Sequence, residues 1–582
     1  MRKDDFELMP FANLGQPYNS LGVDFKSSRL YPRIGALAKH FNYMELEDIA
    51  YYHVATPMSD LFFKTTLEQG QLLDATVAVN TSERFNFSLA YKGFRSLGKY
   101  VRDQVDAGNF RATFNYVTKN GRYGIRGHTA VQDLNSEEHG GLTKKEEQFE
   151  SANPDFSERS RIDVRFTGNN SADSKLLGKR YYIDHWYKLI KKAKDSSDAE
   201  QTSLSLGHRF GYETQLYQFS QGAANTYFGD AFVSPISDQA RLKVMDNEVS
   251  ARFYNRTLGS LEGNLSAYDY NYYFNSKVFL GNGVIENQLT GTQIAVGGKY
   301  AKRLGGFDFN ASFKQNLSGE LGGRFVEANA SYALNDRFTF SATLYSSARM
   351  PNFNYLLYQS DYRNYNWQHT DTFKKEQINA LGGTLESKKW GRLSATYTNI
   401  DKYAYFAPDP DVAVTSEEAH QQNIAPFQDD GNISYLKLKY EGELRYGAFA
   451  LNNTVMYQTV SQSNKVLNLP QLVTRNTLYY STDVFKKAMY IHTGITLKYF
   501  SSYHMDAYNP LLGEFYVQTS EKLGGFPMLD FFINGRVQQT RIYLKAEHFN
   551  SSFGKTNKFY SAPDYPYRDF VIRFGLVWNF FS

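Results

Sequence analysis

Seven charged side chains, Arg111, Lys314, Glu327, Arg541, Lys545, Glu547 and Arg573, fall on the polar side of segments in which apolar and polar residues alternate. Charges in a row along one face sort solutes by sign and size, and they neither make nor break bonds. Arg541, Lys545 and Arg573 come from neighbouring carboxy-terminal segments and form a candidate cationic strip. Glu327 and Glu547 argue against a strong preference for anions. The plainer role of the same residues is a wall of mutually paired charges.

Chemistry of other kinds finds little support. The eleven histidines are scattered and none sits in a nucleophile motif such as G-x-S-x-G. His185 lies between Asp184 and Trp186, and alternation sends both neighbours to the face opposite the imidazole. Zero cysteines remove disulfides and thiolate sites together. Metal-binding HEXXH and CxxC pairs, phosphate loops and dinucleotide fingerprints are absent. No catalytic residue, metal or cofactor is therefore expected. Between Pro351 and Thr370 the aromatic residues Tyr355, Tyr358, Tyr362, Tyr365 and Trp367 would offer stacking faces to a ligand or partner, or pack on one another over a closed mouth. Between Pro408 and Asp430 the acids Asp409, Asp411, Glu417, Glu418, Asp429 and Asp430 match no calcium-loop spacing and are read as a solvated loop.

The elements that position these residues are clearest at the carboxy terminus. In DFVIRFGLVWNFFS, Phe570, Ile572, Phe574, Leu576, Trp578 and Phe580 fall on one face, and Arg573, Gly575 and Asn579 on the other. Ten steps of about 3.3 Å, tilted by about 40°, project to about 25 Å, the height of the apolar band of an outer-membrane barrel. Alternation of the same kind recurs from about Ser59 onward. It is cleanest in the hairpin that turns at Asn335-Asp336, between Phe325 and Tyr345.

Composition agrees. No apolar run is long enough for a membrane helix, and 45 Tyr with 45 Phe supply the aromatic girdles that a barrel needs. Lys plus Arg exceed Asp plus Glu by four, 64 against 60, so nucleic acid is not an expected partner. Residues 1–57 are irregular, with Pro10, Pro17, Pro32 and Pro57, and are expected in the periplasm or the lumen. They lack the apolar core of a secretory signal, so the sequence reads as a mature or trimmed chain.

Connections alternate in length. Tight turns at Lys119-Asn120-Gly121, Leu304-Gly305-Gly306, Asn335-Asp336, Lys389-Trp390-Gly391, Arg445-Tyr446-Gly447 and Gln538-Gln539 alternate with long loops near 350–373, 407–430, 461–472, 503–525 and 550–568. That is the plan of a barrel with short periplasmic turns and long outer loops. The phase holds back to about Gln218. Loops read at 134–157, 169–177, 192–202 and 219–240 cannot all be assigned a side. The expectation is an all-β chain, a single transmembrane antiparallel β-barrel of about 18 to 22 strands over residues 58–582.

Several segments carry a family resemblance: Phe11-Ala12-Asn13-Leu14-Gly15, Lys39-His40-Phe41-Asn42-Tyr43, Glu68-Gln69-Gly70-Gln71, Tyr91 to Tyr100 (YKGFRSLGKY), Gly178-Lys179-Arg180-Tyr181-Tyr182, Tyr362 to Trp367 (YRNYNW) and Tyr565-Pro566-Tyr567-Arg568-Asp569. With the closing strand they resemble the "putative porins" of Bacteroidota outer membranes. Ser582 departs from the terminal aromatic common in such proteins. The resemblance implies a bacterial outer-membrane barrel in contact with lipid and lipopolysaccharide, and supplies neither catalytic residues nor a solute. The leading expectation is a porin-like channel passing small solutes by diffusion. Two others stand beside it: an accessory barrel subunit of a larger outer-membrane complex with outer-membrane protein partners, and a ligand-specific transporter plugged by its amino-terminal segment.

Overall fold

The computed structural model describes residues 3–66, 70–191, 202–281, 283–412, 422–554 and 556–581. Glu68, Gln69, Glu417, Glu418, Ser582 and nearly all of the loop read at 192–202 lie outside them. Twenty-two antiparallel strands close into one barrel. The ring is sealed by Met58–Thr65, which pairs with Gln71–Ser82 on one side and with Val571–Phe581 on the other, in a register from Met58↔Phe581 to Lys64↔Gly575. Closure leaves no sheet edge, which a membrane-spanning sheet cannot tolerate.

Alternation decides which side each residue faces. In the last strand and the residue before it, Phe570, Ile572, Phe574, Trp578 and Phe580 are exposed on the outer surface and Leu576 is half-buried there, whereas Arg573 is buried inside. Trp578 and Phe580 pack ring on ring at 3.9 Å. At the Asn335-Asp336 hairpin the Asn335 side chain accepts hydrogen bonds from the backbone N–H groups of Arg337 and Phe338 at 2.8 and 3.0 Å, the Asx geometry that fixes the turn.

Among the described residues every connection of two to four residues lies on one rim and every connection of eight or more on the other, so the irregularity in the sequence reading resolves. The stretches read as separate loops at 134–157 and 169–177 belong to one connection, 139–171. Strand Tyr123–Glu138 runs further than expected, and strand Ala172–Lys191 begins inside the second supposed loop. The physical reason is height. Strands Ala172–Lys191, Thr202–Gln221 and Ile236–Asn255 have 20 residues each, against 8 in Met58–Thr65 and in Thr540–Glu547. Twenty residues span about 66 Å, or about 50 Å at a tilt of about 40°, roughly twice the apolar band. Above that band the inward residues Ala172, Leu176, Tyr217 and Phe219 are apolar and buried against packed loops, and the outward face is mostly polar, with Asp173, Lys175, Lys179, Gln218 and Ser220 beside the pair Leu177 and Leu216. The pattern thus inverts partway along each strand.

The long connections fold inward. Phe166, Tyr227, Phe228, Phe353, Leu356, Tyr362, Tyr365, Leu511 and Leu512 join inward barrel residues in one apolar core that also takes Ile34, Ala36 and Tyr43 from the amino-terminal segment. Within connection 139–171 a bridge joins Leu142 to Val164, and the Leu142 N–H donates to the Asp564 carbonyl at 2.9 Å.

Candidate functional site

The interior is filled by the chain's own amino-terminal segment, which bonds to strands all around the ring. Asp4 pairs with Arg475 at 2.6 Å, and Glu7 meets Lys437 and Lys439. The Tyr345 hydroxyl donates to the Ser27 carbonyl at 2.7 Å, and the Tyr43 hydroxyl donates to Glu213 at 2.6 Å. The Met44 N–H donates to Gln132 at 2.7 Å, Asn115 donates to the Tyr52 carbonyl at 2.6 Å, and the Val54 N–H donates to Asn86 at 2.9 Å. Lys39 and Glu138 form an ion pair whose side chains are each 5% exposed. A buried pair of this kind adds little net stability, but breaking it on one side is costly, so it fixes where the segment sits.

These contacts bring the resemblance-bearing segments together. Tyr43 lies directly over Gly178, where a Cβ would stand 2.0 Å from its hydroxyl, and beside Arg180, which bonds both Glu213 and the Met44 carbonyl. Asn13 donates to the carbonyls of Ser96 and Asp103 at 3.2 and 2.7 Å. Phe11 packs on Tyr565 at 4.9 Å, and its carbonyl accepts from Arg568 at 3.3 Å. Segments far apart in sequence are therefore the two halves of lumenal contacts, which no periodicity could have disclosed.

The seven charged residues separate into distinct environments. Lys545 lies between Asp530 at 3.0 Å and Glu547 at 3.2 Å, and Glu547 also accepts from Arg568 at 3.0 Å and Arg573 at 2.8 Å. Lys545, Glu547 and Arg573 thus share one buried network. Arg541 stands apart, directly across from Arg536 near the short-turn rim. Arg111 bonds Asn109 at 2.9 Å and faces Asp74 at 3.4 Å. Lys314 pairs with Glu248 at 2.8 Å, and Glu327 accepts from Asn329 at 3.2 Å, both away from the carboxy-terminal group. His185 meets His208 at 3.0 Å, whereas Asp184 pairs with Arg126 at 2.7 Å.

A cavity of about 910 Å³ opens between residues 44–52 of the inner segment and the strands flanking the seam. Arg111, Arg536, Arg541 and His492 line it together with Asp48, Asp60 and Asp74, a mixed set without one dominant sign. The loop aromatics are placed differently. Tyr358, Tyr362, Tyr365 and Trp367 are buried, with polar atoms donating to Leu511, Gln221, Gln422 and Asn354, and Tyr355 stacks on Phe406 at 4.2 Å. These rings are taken up by packing among the loops and the inward barrel residues.

Burial at the contact between segment and loops perturbs carboxyls. Desolvation pushes Asp103 and Asp506 up to about 8 and Glu514 up to about 7, although Gln16 bonds the first and the Leu37 N–H the last. Glu45 goes the other way: burial would raise it, but His40, Arg29 and Arg33 together hold it well below the usual range. The folded chain thus binds more protons at the first three sites than the unfolded chain between about pH 4 and about pH 8. Their contribution is greatest at the acid end of that window and is lost as pH rises through it. Glu45 supplies stability that is lost only in strong acid. The midpoint of thermal unfolding, followed by near-ultraviolet circular dichroism, is expected to fall from pH 5.5 to pH 9, and Asp506→Asn with Glu514→Gln to flatten the decline. A midpoint that rises over this range refutes the assignment.

The backbone architecture matches solved barrels. The ferric enterobactin receptor PfeA of Pseudomonas aeruginosa superposes with a TM-score of 0.62 at 10% identity, over 91% of this chain and 81% of that one. The FrpB iron transporter of Neisseria meningitidis gives 0.60 at 12% identity, over 90% and 82%. The siderophore receptor PirA of Acinetobacter baumannii gives 0.62 at 11%, over 91% and 82%. At such identities the likeness is one of fold. No curated protein matches the chain in sequence. The family model described as "Putative porin" matches residues 1–582, the lumenal segment and the barrel alike, and the chain belongs to that outer-membrane barrel family.

Proposed function

We propose that the protein is a gated outer-membrane channel passing small solutes by diffusion, with residues 3–57 as its gate and the 910 Å³ cavity as the vestibule on the short-turn side. The observation that carries this reading is the course of the segment through the lumen, bonded to Arg475, Lys437, Tyr345, Glu213, Gln132, Asn115 and Asn86 on seven different strands. A cavity of that volume suits molecules of small-ligand size. Its mixed charges favour polarity over one sign of ion. Lipid would cover the outer apolar face. Among the described residues nothing in the lumen calls for bond-making chemistry, and no enzymatic role is proposed.

A gate must move, and that is testable because the chain has no cysteine of its own. The Asn13 side chain donates to the Ser96 carbonyl at 3.2 Å, and Ser96 donates from its hydroxyl back to Asn13. Cysteines at these two positions, oxidised to a disulfide, should abolish single-channel openings in a planar bilayer, and reductant should restore them. Openings that persist in the fully cross-linked protein would remove the segment from gating. A wild-type protein silent at every voltage would remove the channel itself.

A further inference from the structure

The tall wall carries on its outer surface a cationic patch without a carboxylate partner among the described residues, although Arg241 donates to the side chains of Asn275 and Gln239. Along Ala172–Lys191 the even-numbered Arg180 and Tyr182 are buried inside, whereas Tyr181 and Ile183 are exposed, so Lys175 and Lys179 face outward. Register carries the same face across two more strands: Lys179 pairs with Thr214 and Thr214 with Lys243, and one row higher Leu177 pairs with Leu216 and Leu216 with Arg241. Rows two residues apart are about 6.6 Å apart and strands about 4.8 Å, so the four cations occupy roughly 10 by 13 Å. The Arg241 guanidinium and the Lys243 ammonium both lie over the ring of Tyr273, at 5.8 and 5.4 Å.

Two cations elsewhere on this rim, Arg95 and Arg102, are neutralised. Arg95 meets Asp106 at 3.4 Å, and Arg102 meets both Glu137 and Asp173 at 2.6 Å. The acids nearest the patch leave it open: Asp173, one row beyond Lys175 on the same strand, is taken by Arg102, and Asp133 opposite Leu177 and Asp269 opposite Met245 make no ion pair with it. Among the described residues no carboxylate oxygen lies within 4.0 Å of Lys175, Lys179, Arg241 or Lys243.

Height gives the patch its meaning. The row directly below it is Tyr181, Tyr212 and Met245, and the next contains Ile183 and Phe210, where the apolar belt begins. One row above such a girdle, on the long-loop side, is the depth of the outer leaflet's headgroups. From this geometry we propose that Lys175, Lys179, Arg241 and Lys243 form a binding site for the headgroup phosphates of a phosphorylated glycolipid of the outer leaflet, whose acyl chains lie along the apolar belt below. Charge complementarity selects the phosphate, and the belt beneath selects a lipid over a free anion.

The test uses the full-length barrel reconstituted in zwitterionic phospholipid vesicles doped with doubly phosphorylated lipid A, or with the same lipid A after phosphatase treatment. Lipid retained after mild detergent extraction is counted by native mass spectrometry. The wild type should retain the phosphorylated form and lose the treated one. Replacing all four cations by Gln should weaken retention by roughly fivefold for each charge removed. Replacing the three lysines by Arg should preserve it. Unchanged heat-modifiable migration in gels establishes that each variant is folded. Equal retention by the wild type and the four-Gln variant, or indifference to the phosphates, overturns the site. Displacement by millimolar inorganic phosphate overturns the lipid as its ligand.

Discussion

Deleting residues 1–57 is expected to turn a mostly closed barrel into one with large, steady openings, raising unitary conductance by roughly an order of magnitude. The lumen of a barrel with this many strands is wide unless something fills it. Here the long connections fill the outer end, and the amino-terminal segment runs on through the lumen, anchored by ion pairs and hydrogen bonds to inward side chains. Strand Met58–Thr65 keeps both its neighbours without that segment, so closure of the ring survives the deletion. The outer loops lose support at the same time, because Ile34, Ala36 and Tyr43 leave the apolar core and the Leu37 N–H no longer donates to Glu514. Conductance in a planar bilayer reads the outcome, and a synthetic peptide of residues 1–57 added from the short-turn side should restore closure. If the truncated barrel folds and its conductance equals that of the full chain, the loops alone close the lumen and the gate assignment is wrong.

What could be read from the sequence and what could not divides along one physical line. Where the barrel crosses the apolar band, lipid outside and polar lumen inside force a strict period of two, so Phe570 to Phe580 announce themselves. Turns at Asn335-Asp336 and Gly305-Gly306 are as legible, because their backbone demands particular residues. Above the band that forcing disappears. At Ala172, Leu176, Tyr217 and Phe219 the apolar residues switch to the inner face to meet packed loops, and Gly168-Asn169-Asn170-Ser171 reads as a turn just before a strand starts. The candidate site was less legible still. Alternation put Arg541, Lys545 and Arg573 in one strip, but could not say that Glu547 gathers two of them while Arg541 remains beside the cavity. Nor could it pair Tyr43 with Gly178, since the contact joins an irregular segment to a strand more than a hundred residues away.

The same network yields the largest expected stability effect of a single substitution. Glu547 is 13% exposed and is the carboxylate shared by Lys545, Arg568 and Arg573, of which Arg573 is 2% exposed. Lys545 has a second carboxylate in Asp530, whereas Arg573 bonds Glu547 through Nε and its two terminal nitrogens have no hydrogen-bond partner among the described residues. Glu547→Gln keeps the shape and one acceptor but removes the charge, stranding a guanidinium in a buried setting. The expected loss is about 3–5 kcal/mol, read as a shift of the urea midpoint for reversible folding in lipid with the slope unchanged. Arg541→Gln, from the same strip but without an ion pair among the described residues, should cost about 0.5 kcal/mol or less. Adding Arg573→Met to Glu547→Gln should recover much of the loss, because removing both charges leaves nothing unpaired, and the shortfall from additivity measures their coupling. A loss below about 1 kcal/mol for Glu547→Gln would mean that water reaches the network, and that its charges serve passage through the lumen rather than closure of the seam.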